Sequence, residues 1–383
     1  ERKAEIGEDK VFDFSIGNPS VPAPDKVAKT MHELADMPPA QLHAYSPASG
    51  LDETKTAIAD NLNRRFGTDY AAKNFYLTTG AASCLSCCIK AVIVDPGDEI
   101  IVISPYFPEY RVWIEADGGT CVEVPARKDN FQIDLDALAA AINERTRAVI
   151  INSPNNPVGV VYTRETLEGL AEVLHTKRKE FGSSLFLISD EPYRELAYGP
   201  EVSWVPSIYD NTLVCYSWSK SLSLPGDRIG YVLVPSEVEE SEHVMFAVAG
   251  AGRALGYICA PVFFQRVIAA CVDEPVNAVP QLCHSLDALL CGGVQVGLDH
   301  DGVLTVVHLA VHHGIAVILH VGVCGNGILY GFVLTEVRQL CGFVLAADIL
   351  NGVSELRGKV QILIRFHSKV LSAVLRTLRG LSA

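Results

Sequence analysis

Between residues 75 and 234, short apolar runs alternate with stretches of helical period, an order that few architectures other than a layered α/β sheet can accommodate. Runs at 75–78, 99–104, 148–152, 185–189, 213–217 and 229–233 read as strands. Helical spacing marks 81–94, 134–143, 163–181 and 236–249. Strands that are apolar throughout are buried on both faces, so the sheet is expected to be mostly parallel and covered by helices on either side. Ligands in such folds collect at the carboxyl ends of the strands, which makes the residues just after each run the candidates for chemistry.

Those residues are polar, small or aromatic. After 75–78 comes Thr79-Gly80-Ala81-Ala82-Ser83 leading into a helix, whose free N–H groups suit a phosphate, although a simple turn accounts for the same residues. After 99–104 comes Pro105-Tyr106-Phe107-Pro108-Glu109-Tyr110, which offers aromatic faces to a flat ligand or serves as a packing cluster. Asn155 and Asn156 follow 148–152 between two prolines, where an amide can point into a cleft. Asp190 and Tyr193 follow 185–189, placing a carboxylate and a phenol three residues apart; a local Asx turn is the plainer account of the Asn and the Asp.

The run Tyr216-Ser217-Trp218-Ser219-Lys220-Ser221, with Arg228 eight residues beyond the lysine, closes the set. A polar turn between two strands projects Lys220 from a sheet edge, where its amine can form a Schiff base while Arg228 holds a phosphate. The alternative is an ordinary surface lysine in a serine-rich loop. Five strand endings of this kind in one sheet are harder to assign to turns alone.

The bulk properties narrow the partners. With a net charge of −14, the chain is a poor match for nucleic acid or an anionic membrane, while a small anion needs only a local basic pocket. Its 11 cysteines are scattered apart from Cys84, Cys87 and Cys88, and the amino end shows no signal-peptide pattern. Reduced, buried thiols in a cytoplasmic protein are therefore expected, with no metal site.

Taken together, these motifs resemble the pyridoxal-phosphate (PLP) enzymes of the aspartate aminotransferase superfamily, the fold-type-I group, over about residues 11–280. The resemblance implies an α/β fold: a large domain (41–280) with a mostly parallel seven-stranded sheet, and a smaller α+β domain from the amino-terminal segment (1–40) and the carboxy-terminal region (281–383). It implies that Lys220 carries the cofactor and moves the proton, that Asp190 keeps the pyridine nitrogen protonated, and that Tyr193 and Asn156 hydrogen-bond the phenolic oxygen. Phe107 matches the residue stacked on the ring. Gly80, Ala81 and Ala82 match the backbone cradle of the phosphate, with Ser217 and Arg228 reaching it through side chains. Tyr45 matches a tyrosine that reaches the neighbouring subunit's phosphate, which implies a homodimer. Gly17, in Ile16-Gly17-Asn18-Pro19, matches the loop near the substrate carboxylate. The implied activity is ping-pong transfer of an amino group from an amino acid to a 2-oxo acid. The same cofactor residues would serve a C–S or β-eliminating lyase. Tyr257 resembles a residue at the border of the site, or packs in the core.

Residues 281–383 change character. None of the chain's 20 prolines and seven of its 11 histidines lie there, and 302–334 contains no Asp, Glu, Lys or Arg, so the tail departs from ordinary domain composition. The resembled family places a substrate-binding arginine in this region, and Arg365 in Ile362-Leu363-Ile364-Arg365-Phe366 is the nearest candidate. The tail reads as a divergent small domain, as the product of a wrong reading frame or strand, or as a membrane segment interrupted by histidines. The first two are favoured, so no membrane association is expected. Two of the three readings leave substrate binding impaired, and with it a PLP-binding protein of impaired catalysis. His308 and His312 have the spacing of a helical metal pair but no acidic companion, so no zinc site is expected.

Overall fold

The computed structural model describes residues 2–7, 17–19, 21–197 and 201–274, together with three strands at 307–310, 316–324 and 328–335. The chain divides into two compact units, Glu1–Gln281 and Leu282–Ala383.

The first unit carries a seven-stranded sheet: β1 (Phe75–Thr78), β2 (Glu99–Ser104), β3 (Thr120–Pro125), β4 (Thr146–Asn152), β5 (Phe186–Asp190), β6 (Thr212–Ser217) and β7 (Gly230–Leu233), in the order β1-β7-β6-β5-β4-β2-β3. Neighbours from β6 to β3 pair in parallel, and β7 runs antiparallel to both β1 and β6. Six of these strands match the expected runs to within two residues at either end. The edge strand β3 is the seventh. Only Val124 in it is buried, so its sequence has no continuous apolar run to announce it.

Helices cover both faces. In chain order they are α1 (Arg2–Ile6), α2 (Asp25–Ala35), α3 (Pro39–Leu42), α4 (Asp52–Phe66), α5 (Ala81–Val92), α6 (Glu109–Ala116), α7 (Leu135–Ala141), α8 (Arg164–Phe181), α9 (Trp218–Ser221), α10 (Ser241–Ala254) and α11 (Val262–Cys271). Local chemistry sets the ends of α7 and α8. The Asp134 carboxylate accepts from the Ala137 N–H, the Thr163 hydroxyl accepts from the Thr166 N–H, and Gly182 closes α8 in the left-handed region at φ 61°. Leu167, Leu170, Ala171 and Leu174 give α8 a buried stripe at helical spacing. Helix α10 starts five residues later than the 236–249 expectation, because Glu240 adopts φ 55° and interrupts the helical path ahead of Ser241.

Three apolar clusters hold the sheet. One centres on α5 and includes Cys84, Cys87 and Cys88; a second packs α7 and α8 on β4 and β5; a third joins α2, α4 and α11 to β1, β6 and β7. Cys84, Cys87, Cys88, Cys121, Cys215, Cys259 and Cys271 are free. Burial pushes the Cys87 thiol up to about 12, so the Cys84-Leu85-Ser86-Cys87 segment is core packing. No helix among the described residues is long and apolar enough to cross a membrane.

In the second unit, β8 (Val307–Ala310), β9 (Ala316–Cys324) and β10 (Ile328–Thr335) form an antiparallel sheet in the order β10-β9-β8. His308 lies in β8, where extended backbone removes the one-turn spacing that a helical metal pair with His312 requires. His312 itself is outside the described residues. The uncharged stretch contributes strands in place of a spanning helix.

Gly252 on α10 faces Tyr76 on β1, and a Cβ there would sit 2.2 Å from the buried phenolic oxygen. Gly252→Ala should therefore destabilise the first unit by about 1–3 kcal/mol, seen as an earlier urea midpoint with an unchanged slope.

Candidate active site

The sheet order brings the chemistry to one edge. β1, β2, β4, β5 and β6 all end there, and antiparallel β7 begins there: Gly230 pairs with both Thr78 and Ser217. Arg228, two residues before Gly230, is thereby delivered beside Gly80, two residues after Thr78. A Cβ on Gly80 would lie 2.8 Å from Arg228 Nη2, and Gly80 has φ +96°, so only glycine admits both the backbone path and the guanidinium. Gly80 caps α5, whose first residues are Ala81 and Ala82. Their open N–H groups lie next to the Arg228 guanidinium, an arrangement that could hold an anion. Arg228 is exposed, has φ 52°, and donates from Nη1 to the Pro225 carbonyl at 2.9 Å. Ser217, at the end of β6, donates to the Ser219 hydroxyl at 3.2 Å.

Lys220 stands on the single turn of α9 that leaves β6. Its amine is half-buried, and desolvation lowers its pKa from the usual lysine value. It donates to the Gly17 carbonyl, which sets Gly17 against the lysine. The turn is braced from behind: the Tyr216 hydroxyl lies 2.7 Å from the Ser221 hydroxyl and 2.9 Å from the Glu195 carboxylate. Arg194 is buried among the Phe66, Trp204 and Tyr216 rings and pairs with Glu191 at 2.6 Å.

Asp190 ends β5 and is 5% exposed. Its Oδ2 accepts from the Tyr110 hydroxyl at 2.5 Å, whereas Oδ1 is buried with no hydrogen-bond partner among the described residues. Burial lifts the carboxyl to about 7, against the lowering effect of Tyr110. Tyr193 follows on the next turn, its phenol pushed up to about 12 by burial and by Asp190, with the neighbouring Asn156 side chain acting against the rise. Asn152 pairs with Asp190 across the β4–β5 ladder; its amide donates to the Asp190 carbonyl at 2.8 Å and its Oδ1 accepts from the Asn156 N–H at 2.6 Å. The Asn156 loop and Asp190 are thus one unit.

Phe107 precedes α6 and is half-buried, packed edge-on to Tyr110 at 5.8 Å. Tyr45 is 83% exposed, on a segment anchored by the Leu77 N–H donating to the Ser49 carbonyl and by Gln265, which accepts from the Leu51 N–H and donates to the Ser46 hydroxyl. Tyr257 packs beside the α5 cluster, with its hydroxyl 3.3 Å from Cys87 Sγ. Arg365 lies outside the described residues.

Sequence reasoning passed over two members of this constellation. Asn152 was hidden inside an apolar run, and Tyr110 was grouped with the aromatic cluster; its position one helical turn after Phe107 was the available signal.

The family model of the class I and II aminotransferases matches residues 9–278. The chain belongs to that family. A solved amino transferase from Eubacterium rectale is 54% identical with a TM-score of 0.70, covering 72% of this chain and 70% of that one. The aspartate aminotransferase of Thermus thermophilus is 27% identical with a TM-score of 0.60, over 72% of this chain and 67% of that one. Among curated relatives, the probable aspartate/prephenate aminotransferase of Aquifex aeolicus is 34% identical over 233 residues, 59% of this chain and 57% of its own. The aspartate aminotransferase of Streptomyces avermitilis is 34% identical over 236 residues, 60% of this chain and 55% of its own. The chain thus spans a little over half the length of the curated relatives it matches.

An unfolded aspartate titrates near ~4, and the folded Asp190 near about 7. Between those values the folded protein binds one proton more than the unfolded chain, so the contribution of Asp190 is fully present below the lower value and is lost as pH rises through the upper one. Cofactor-free Asp190→Asn should gain thermal stability relative to wild type as pH climbs across this window. Parallel melting profiles of the two proteins would contradict the burial-driven shift.

Proposed function

We propose that this chain is a pyridoxal-phosphate-dependent aminotransferase acting on an amino acid and a 2-oxo acid. The observation that carries the reading is the buried Asp190 Oδ1, without a hydrogen-bond partner among the described residues, at the strand edge that also bears Lys220 and the paired Gly80 and Arg228. A carboxylate oxygen left bare in a dry site fits a cationic N–H partner, and a guanidinium beside a helix N-terminus fits a phosphate. When bound, the cofactor supplies an aldehyde and an electron-accepting pyridinium ring.

Each side chain then has a role. Asp190 holds the ring proton, while Tyr193 and Asn156 offer hydrogen bonds to the phenolic oxygen. Phe107 stacks on the ring, and Gly80, Ala81, Ala82, Ser217 and Arg228 take the phosphate. Lys220 is the covalent anchor and the proton carrier, and its lowered pKa helps it present a free amine. Gly17 and Asn156 would meet the substrate carboxylate. The exposed Tyr45 on its braced loop suits contact with a second subunit, in keeping with a homodimer. Free, buried thiols suit the reducing cytoplasm. Aspartate, which the relatives' names carry, is the first donor to assay with 2-oxo acid acceptors.

Borohydride treatment after adding pyridoxal phosphate should leave a pyridoxyl label on the peptide containing Lys220. Lys220→Ala should lose both the label and the visible absorption of the mixture, and a label on any other lysine would overturn the assignment. Gly80→Ala strains a positive-φ position and displaces Arg228, so the Kd for pyridoxal phosphate should rise about tenfold or more, measured by fluorescence titration.

A further inference from the structure

We propose that Tyr110 is a positioning residue that fixes the Asp190 carboxylate, turning Oδ1 toward the cofactor site and favouring its anionic form before the cofactor arrives. The proposal rests on the cofactor reading above and adds to it a residue that never touches the ring.

The geometry begins at α6. Pro108 precedes the helix and Tyr110 is its second residue, 2% exposed. Three rings bracket it: Tyr106 stacked at 6.2 Å, Phe107 edge-on at 5.8 Å and Trp113 tilted at 6.3 Å. The phenol cannot swing to water, and its proton goes to Asp190 Oδ2 at 2.5 Å. A carboxylate turns easily about its terminal bond, so one short hydrogen bond to one oxygen determines where the other points.

The second effect is on charge. The groups facing Asp190 are Tyr110 from α6, Tyr193 on the following turn, the adjoining Glu191, and Cys215 across the β5–β6 ladder. Among the described residues, none of the groups acting on its charge is a cation, and Glu191 is already paired with Arg194. Burial and Glu191 both favour the neutral acid, leaving the phenol as the group that favours the anion. The Tyr110 phenol is itself held well above its ordinary pKa by burial and by Asp190, so the proton stays on the tyrosine. The pair is therefore a donor and a bare acceptor.

The test follows the Asp190 carboxyl carbon by carbon-13 NMR in the cofactor-free protein, assigned by its loss in Asp190→Asn. In Tyr110→Phe, which keeps the ring, the titration midpoint should rise by about one to two pH units. Replacing Tyr110 with 3-fluorotyrosine, a more acidic donor, should lower it, and this second variant decides the question if Tyr110→Phe does not fold. A midpoint that moves with neither variant overturns the proposal. In parallel, Tyr110→Phe should weaken binding of pyridoxal phosphate about tenfold; affinity equal to wild type also overturns it. A wild-type protein that takes up no pyridoxal phosphate yet shows the Tyr110-dependent midpoint overturns the cofactor reading and supports the Tyr110–Asp190 coupling.

Discussion

Strand β7 enters the sheet antiparallel between β1 and β6, and the site is built around that reversal. Were β7 parallel, its carboxyl end would share the functional edge, and Arg228 would lie at the opposite end of the sheet from Gly80. Because it is reversed, Gly230 meets Thr78 on one side and Ser217 on the other. The guanidinium, the glycine cap of α5 and the lysine-bearing turn then converge within a few residues of one pairing point. A Cβ on Gly230 would fall 2.5 Å from the Tyr216 carbonyl, so the convergence is tight enough to require glycine on β7 as well as on the cap.

Around this edge the protein keeps two kinds of buried charge. Behind α9, Glu191 and Arg194 are buried and Glu195 is partly so, yet their atoms find partners in one another, in Ser189 and in the Tyr216 hydroxyl. Such a network is stable only when every member is satisfied, and it stiffens the turn that presents Lys220. Asp190 is the opposite case: one oxygen is held and the other is bare. A bare buried carboxylate oxygen is costly, and proteins retain that cost where a ligand is meant to remove it. The contrast between the satisfied cluster and the unsatisfied aspartate separates scaffold from site.

The α/β class, six strands and the residues at their ends were legible because continuous Ile, Val and Leu runs can only be buried, and because polar residues concentrate where each run stops. Strand β3 escaped notice because an edge strand with one buried residue has no such run. Helices α4 and α6 carry many charged residues and declare themselves only through the few side chains they bury, among them Ile58, Leu62, Tyr110 and Ile114. Asn152 looked like the end of an apolar strand; its part in tying the Asn156 loop to Asp190 depends on the β4–β5 register, which no local pattern encodes.

By itself the sequence determined which side chains were available: a lysine among hydroxyls, an arginine eight residues on, an aspartate and tyrosine three apart, and a glycine ahead of a helix. Those are properties of local spacing and composition. Only the tertiary structure decided which of them meet, since strand order, the direction of β7 and pairing register are set by packing over the whole sheet. It alone shows that Tyr110 spends its proton on one Asp190 oxygen and leaves the other bare, because burial and hydrogen-bond partners arise only when segments 80 residues apart are brought together.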